Sequence, residues 1–319
     1  MENARTQSDT VNGLRLLCNV LVVVFHAAMF PASIGMSKEK QFLDSVAEIA
    51  WWGSIPALFV ISGWCYFNGF KRVGVAWWTH KLTHRIWRLL LPFILWGAIF
   101  TALYCAIGNL SPRVAERLQE HHVVGLDGYL RMVFNADGYL LYGPLWFLRA
   151  LLACTLISPL IGWVFMVFGR SFFPQLICLG IISIVAYAVG LTFRAIGWVQ
   201  YPGYGFVCFG IGAWVAVNEI SVVRLRKYFV LFEALGSNRW VQKWLLPVGM
   251  FLYLTHLFVN RIVHYSICRF VDGGGGQLSA VFVVSLVIST VVPVFLWHLM
   301  NRCCPRLLAL LDGRGNRLR

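Results

Sequence analysis

Charge is the scarcest commodity in this chain of 319 residues: only 13% are Asp, Glu, Lys or Arg, whereas a soluble domain carries about 25%. With 59% hydrophobic residues and a mean hydropathy of +0.71, the composition is that of a polytopic membrane protein. The polar stretches of any size lie around 69–88, 109–138, 220–243 and in the tail, which leaves no room for a soluble enzymatic domain. Nine cysteines are scattered, with only Cys303 and Cys304 adjacent and no C-x-x-C. That excludes a disulfide framework and a zinc site, and no metal is expected. There is no G-x-x-x-x-G-K-[ST], so ATP does not drive the protein through a motif of its own. G-x-S-x-G and H-E-x-x-H are missing as well. No apolar run has an acidic residue at mid-depth, which counts against a proton-coupled transporter. The N-terminus lacks the order of a signal peptide, so the first apolar run is expected to be an uncleaved helix.

What the chain does have is apolar runs long enough to cross about 30 Å of hydrocarbon. They lie near 12–33, 46–68, 85–108, 145–168, 174–196, 201–219, 244–268 and 278–301. The expected fold is an all-α, polytopic transmembrane helix bundle of about eight spans, with nine or ten allowed by the segments 123–141 and 225–236. A single integral membrane domain is expected over 1–319. The net charge of +14 would suit nucleic acid, but the basic residues sit in short loops, the positive-inside pattern, and no nucleic-acid partner is expected. Lys71, Arg72, Lys81, Arg85 and Arg88 follow the second run, and Arg224, Arg226, Lys227, Arg239 and Lys243 the sixth. The tail adds Arg302, Arg306, Arg314, Arg317 and Arg319, whereas 109–144 holds three arginines against four carboxylates. An even number of spans with both termini cytoplasmic satisfies all of these together. Gly273 to Gly276 reads as an outer loop.

The first run, NGLRLLCNVLVVVFHAAMF, holds an arginine and a histidine that lipid does not tolerate. Arg15 and His26 are eleven residues apart, which on a helix puts them within about 20° of each other and about 16 Å apart along the axis. Asn19 lies about 40° and Asn12 about 60° from Arg15 on that side. Leu14, Leu16, Leu21, Val22 and Val24 fill the remaining circumference. An ionisable residue inside a span points to a site. Arg15 alone reads equally as a snorkelling charge near the inner face, and His26 alone as a hydrogen bond between helices.

Further along, Ser62 and Gly63 form a small pair that permits close helix approach, with a cavity-lining hydroxyl as the alternative. Arg85 and Arg88, three residues apart and so expected on one helix face, read as topology charge or as a clamp for phosphate oxygens, with Lys81 one turn earlier. Trp146 suits an interfacial aromatic belt. Arg149, about one turn deeper, needs a partner or water or snorkels to the outer face, and Arg194 reads as a snorkelling charge. His256 falls near the middle of the seventh run, followed by Arg261 and His264; the two histidines lie about 80° apart and need not serve one site.

In order along the chain, these residues resemble motifs of the acyltransferase type-3 family of integral membrane O-acyltransferases. Arg15, ten residues and His26 match its arginine–histidine spacing, and FVISGW (Phe59 to Trp64) is similar to its F-x-I-S-G-F. Arg85 and Arg88, followed by Pro92, match its R-x-x-R, while PLWFLRALLACTLISPLI and FLYLTHLFV resemble later segments. Asn12 stands where many members carry aspartate, members typically have more spans than this count, and the esterase-like domain of larger relatives is not expected here. The resemblance implies transfer of an acyl group, most often acetyl, from cytosolic acyl-CoA to a hydroxyl of a cell-surface glycan or its lipid-linked precursor. It implies a multi-pass protein of the bacterial cytoplasmic (inner) membrane, with acyl-CoA, the saccharide acceptor and the bilayer as partners. His26 would then be the general base, Arg15 the group holding the donor or the developing oxyanion, and Arg85 and Arg88 the grip on the coenzyme's phosphates. Trp146, Ser62, His256 and Asn19 would bind the acceptor side. The reading that competes is a non-enzymatic exporter of a glycan or lipid, with the same polar residues lining its path.

Overall fold

The computed structural model describes residues 2–29, 34–70, 74–108, 143–169, 171–194, 203–218, 226–271 and 276–314. The segment 123–141, most of the loop 109–144, Lys71, Arg72, Arg224, Gly273 to Gly275, Arg317 and Arg319 lie outside the described residues, as do the side chains of Arg194, Arg226 and Lys227.

Every described element is helical. The first third contains α1 (Glu2–Ala28), α2 (Lys38–Phe67), α3 (Val75–Arg85), a π-turn (Ile86–Leu90) and α4 (Leu91–Gly108). After these come α5 (Leu145–Phe168), α6 (Phe172–Arg194), α7 (Gly203–Val217), α8 (Arg226–Ser237) and α9 (Arg239–Trp244). The chain closes with α10 (Gly249–Ile267), α11 (Gln277–Cys303) and α12 (Pro305–Leu311). Among the described residues, six stretches are long and apolar enough to cross a membrane: Thr6–Ala28, Lys38–Phe67, Val75–Ile107, Leu145–Phe168, Arg239–Ile267 and Gln277–Cys303. The expected runs 174–196 and 201–219 fall on α6 and α7, where the apolar helices Phe173–Ile182 and Tyr204–Val217 are shorter. Segment 225–236, ambiguous in the sequence, falls on α8 from Arg226 onward.

Two compact units divide the chain, one formed by residues 1–61 and 219–308 and the other by residues 62–218 and 309–319. In the first, α1 packs against α8, α10 and α11. Glycine sets the closeness of the α1–α8 crossing: a Cβ on Gly13 would overlap the Phe232 carbonyl oxygen, and one on Gly236 the Asp9 carbonyl oxygen. Such small residues let two helix backbones approach closely. The helices α1 and α10 run parallel, because Asn19 meets Gly249 and His26 meets His256. Ala28 clusters with Leu43 and Ala47 of α2 and with Leu278 and Val281 of α11, so both of those helices run against α1. At the opposite end, His298 of α11 bonds to the Trp244 carbonyl at 3.1 Å. The start of α1 and the finish of α11 therefore lie at the same end of this unit.

The α11 helix shows lipid acting as the solvent. Val283, Val287, Val291 and Phe295 form an exposed stripe, while Leu278, Val281, Ser285, Ser289, Pro293 and Trp297 are buried. Polar side chains turn inward because hydrocarbon offers them no partner.

In the second unit α5 is central, touching α3, the π-turn, α4, α6 and α7. Gly63 at the end of α2 crosses α7 so closely that a Cβ would overlap the Phe209 carbonyl oxygen. The C-terminal turn docks on α4, where the Trp96 indole donates to the Leu311 carbonyl at 2.9 Å. Gly313 follows at φ +73°, a left-handed conformation, with the backbone of Arg88 filling the space a Cβ would need.

Candidate functional site

The polar groups of α1 and α10 meet in the first unit. His256 is fully buried, its Nδ1 3.0 Å from the Leu252 carbonyl oxygen and its Nε2 3.0 Å from His26 Nδ1. Half-buried His26 also has Nδ1 3.0 Å from its own helix's Val22 carbonyl oxygen. These contacts fix the protons. A carbonyl oxygen only accepts, so both Nδ1 atoms carry hydrogen, and a neutral His256 then presents a bare Nε2 to His26. His26 Nδ1–H is thus shared between Val22 and His256, and its proton-free nitrogen is Nε2. Among the described residues nothing is bonded to that atom. Around the pair, Phe25 stands edge-on to His26 with ring centroids 4.6 Å apart and contacts Trp51 at 4.9 Å.

Asn19 is buried where α10 begins, since a Cβ on Gly249 would come 2.7 Å from its amide nitrogen. Arg15 is exposed. Helical periodicity puts it on the side of His26, but the parallel partner helix starts at Gly249, opposite Asn19, and one turn below that level α10 no longer covers α1.

Sequence reasoning took His256 and His264 as separable, and missed what lies between them. Asn260, one turn beyond His256, is buried, and its Nδ2 has no hydrogen-bond partner among the described residues. The same holds for the hydroxyls of fully buried Ser285 and Ser289 on α11. The i, i+4, i+8 spacing of His256, Asn260 and His264 was the available signal. Unpaired polar atoms in a dry interior mark places for water or ligand.

In the second unit the basic residues gather on an aromatic platform. Tyr66 is buried, with Arg85 Cζ 5.3 Å and Lys81 Nζ 5.5 Å from its ring centroid. Lys81 also donates to the Tyr66 carbonyl at 2.8 Å, and the hydroxyls of Tyr66 and Ser158 are hydrogen-bonded at 2.9 Å. The expectation that Arg85 and Arg88 share a face needs correction. Arg85 ends α3 and Arg88 lies in the π-turn, whose i→i+5 bonding inserts a residue and turns the following side chain away. Arg85 is half-buried on Tyr66, and Arg88 is exposed.

Trp146 is half-buried in the first turn of α5, edge-on to Phe147 with centroids 6.0 Å apart. Ser62 is half-buried beside the tightly packed Gly63. Arg149 has a buried Nη1 with no hydrogen-bond partner among the described residues, which differs from a snorkelling charge in water. Neither Tyr66 nor Ser158 was singled out from the sequence, where one more aromatic and one more serine carry no signal. Among the described residues no group of three His, Cys, Asp or Glu side chains is placed to hold a metal.

Comparison with known proteins turns up no significant match to a curated protein or to a solved structure. Residues 9–235, most of the chain and all of α1 to α7 from Asp9 onward, match a family described as an acyltransferase domain. With several helices able to cross a membrane and polar groups converging inside them, this integral multi-pass protein belongs to the acyltransferase type-3 family.

Proposed function

We propose that the protein is an acyl-CoA-dependent O-acyltransferase that moves an acyl group, acetyl in the first instance, to a hydroxyl of a cell-surface glycan or its lipid-linked precursor. The protein would act in the bacterial cytoplasmic membrane, with the end that joins the start of α1 and the finish of α11 on the cytosolic side. The observation that carries the reading is the bare Nε2 of His26, held by contacts on Nδ1, in a chain of acyltransferase family.

In this reading Nε2 takes the proton of the acceptor hydroxyl as that oxygen attacks the thioester carbonyl. A C–O bond forms, the C–S bond breaks, and the imidazolium returns the proton to the departing thiolate. A neutral imidazole with a proton-free nitrogen suits the step, and a general base contributes about 10²–10⁴ in rate. Arg15 is assigned to the donor and not to the oxyanion. It lies about 16 Å from His26 along the axis, while an oxyanion donor must come within about 3 Å of the developing charge. Arg85 and Arg88 are assigned to the coenzyme's phosphates, as two separate contacts and not one fork. His80, Lys81, His84, Arg85 and Arg88 fall within nine residues, and so dense a run of basic groups favours a polyanion. Trp146, Ser62 and Asn19 remain assigned to the acceptor side, whereas His256, expected there too, is bonded to His26 at 3.0 Å and is not assigned to the acceptor.

The test is mass spectrometry of surface polysaccharide from cells with the wild-type protein, with His26→Ala and with neither. An acyl mass increment that appears with the wild type alone supports the reading. An equal increment with His26→Ala removes the histidine from the mechanism, and export of unmodified saccharide without any increment favours the exporter.

A further inference from the structure

The family match ends at residue 235, before α10, and the likeness of FLYLTHLFV to a later segment of the family gives His256 no role beside His26. We propose that His256 is a positioning residue: it accepts from Nδ1–H of His26 and so holds that ring in the tautomer whose Nε2 receives the acceptor's proton. The inference rests on the reading of His26 as the base.

Three features of the geometry carry it. The Leu252 carbonyl at 3.0 Å commits His256 Nδ1 to donating, which leaves Nε2 of a neutral ring as an acceptor 3.0 Å from His26. That ring is fully buried and braced by Tyr253, with centroids 6.0 Å apart, so it does not swing to seek another partner. Finally, the Val22 carbonyl alone does not suffice. When His26 gains a proton inside the bundle, one backbone dipole from its own helix faces a full positive charge, and the second acceptor spreads it. A nucleophile or base oriented by a third group is a recurrent arrangement, and loss of the orienting group costs rate through the wrong tautomer.

The experiment uses purified full-length protein, acetyl-CoA as donor and de-O-acylated surface glycan as acceptor, and reads thiol release. His256→Leu and His256→Asn are expected to lower kcat about 10²-fold, with the KM for acetyl-CoA unchanged. His256→Gln, whose side-chain oxygen reaches the place of Nε2, is expected to restore kcat to within about tenfold of wild type. Histidine ¹⁵N shifts of the wild type supply a readout that needs no variant, and should show Nδ1–H at both His26 and His256. A wild-type Nε2–H tautomer at His26 overturns the proposal. So does His256→Leu at wild-type kcat, or Gln and Leu variants equally impaired, which would mean packing alone. In each of those cases an inactive His26→Ala leaves the base assignment standing; an active one brings down the base assignment instead.

Discussion

At the scale of single residues, the structure separates groups that look alike in the sequence. Arg15 and Arg85 are both arginines near the ends of spans, yet Arg15 is exposed while Arg85 lies on a buried tyrosine ring. Tyr66→Phe keeps that ring and loses only the hydroxyl bonded to Ser158. It should cost about 1 kcal/mol, seen as a small fall in melting temperature in detergent. Tyr66→Ala removes the platform of Lys81 and Arg85 as well, and should cost about 3–5 kcal/mol. Equal losses from the two variants would show that the ring carries nothing beyond its hydroxyl. His26 was legible from sequence because an imidazole deep in an apolar run needs a reason. Its partner was legible as a residue but not as a partner, since 230 positions separate the two and periodicity speaks only within one helix.

At the scale of elements, local helical geometry succeeded where the helix is regular and failed where it is not. The described residues of the eight apolar runs named on length lie mainly in helices, and six of those runs fall on helices long and apolar enough to cross a membrane. The shared face of Arg85 and Arg88 did not survive, because a π-turn at Ile86–Leu90 is invisible to a 3.6-residue period. Arg15's exposure was one of two readings the sequence left open, and it depends on where a helix distant in sequence begins. Helix crossings depend on single glycines. Gly13→Ala or Gly236→Ala drives a methyl into backbone of the facing helix and should cost about 1–3 kcal/mol. Gly53→Ala meets only a Leu21 methyl at 3.4 Å and should be neutral. Thermal unfolding of the three variants in one detergent decides this, and a loss at Gly53 as large as at Gly13 would contradict the α1–α8 contact. Trp96→Phe deletes the bond to the Leu311 carbonyl and should loosen the C-terminal turn, read as faster proteolysis of the tail with the remaining fold intact.

On the scale of the whole molecule, composition alone made the class plain, and the direction of helices in the first unit puts the start of α1 and the finish of α11 at one end. Cys303 and Cys304 are exposed at that end. In intact cells a membrane-impermeant maleimide added outside should leave both unlabelled, and label them once the inner face is opened. Outside labelling would reverse the proposed orientation. Replacing both Arg85 and Arg88 with Gln should weaken acyl-CoA binding about tenfold or more, as expected for loss of charge-assisted phosphate contacts, and leave acceptor binding within about twofold. Equal weakening of both returns those residues to topology. The proposed chemistry depends most on His26 acting as a base in acyl transfer. Its most direct measurement is acetyl-CoA-dependent thiol release by purified wild type and His26→Ala, each monodisperse and supplied with acceptor glycan. The wild type should turn over, and the alanine variant should fall by about 10²–10⁴; matching rates in the two proteins would contradict the account.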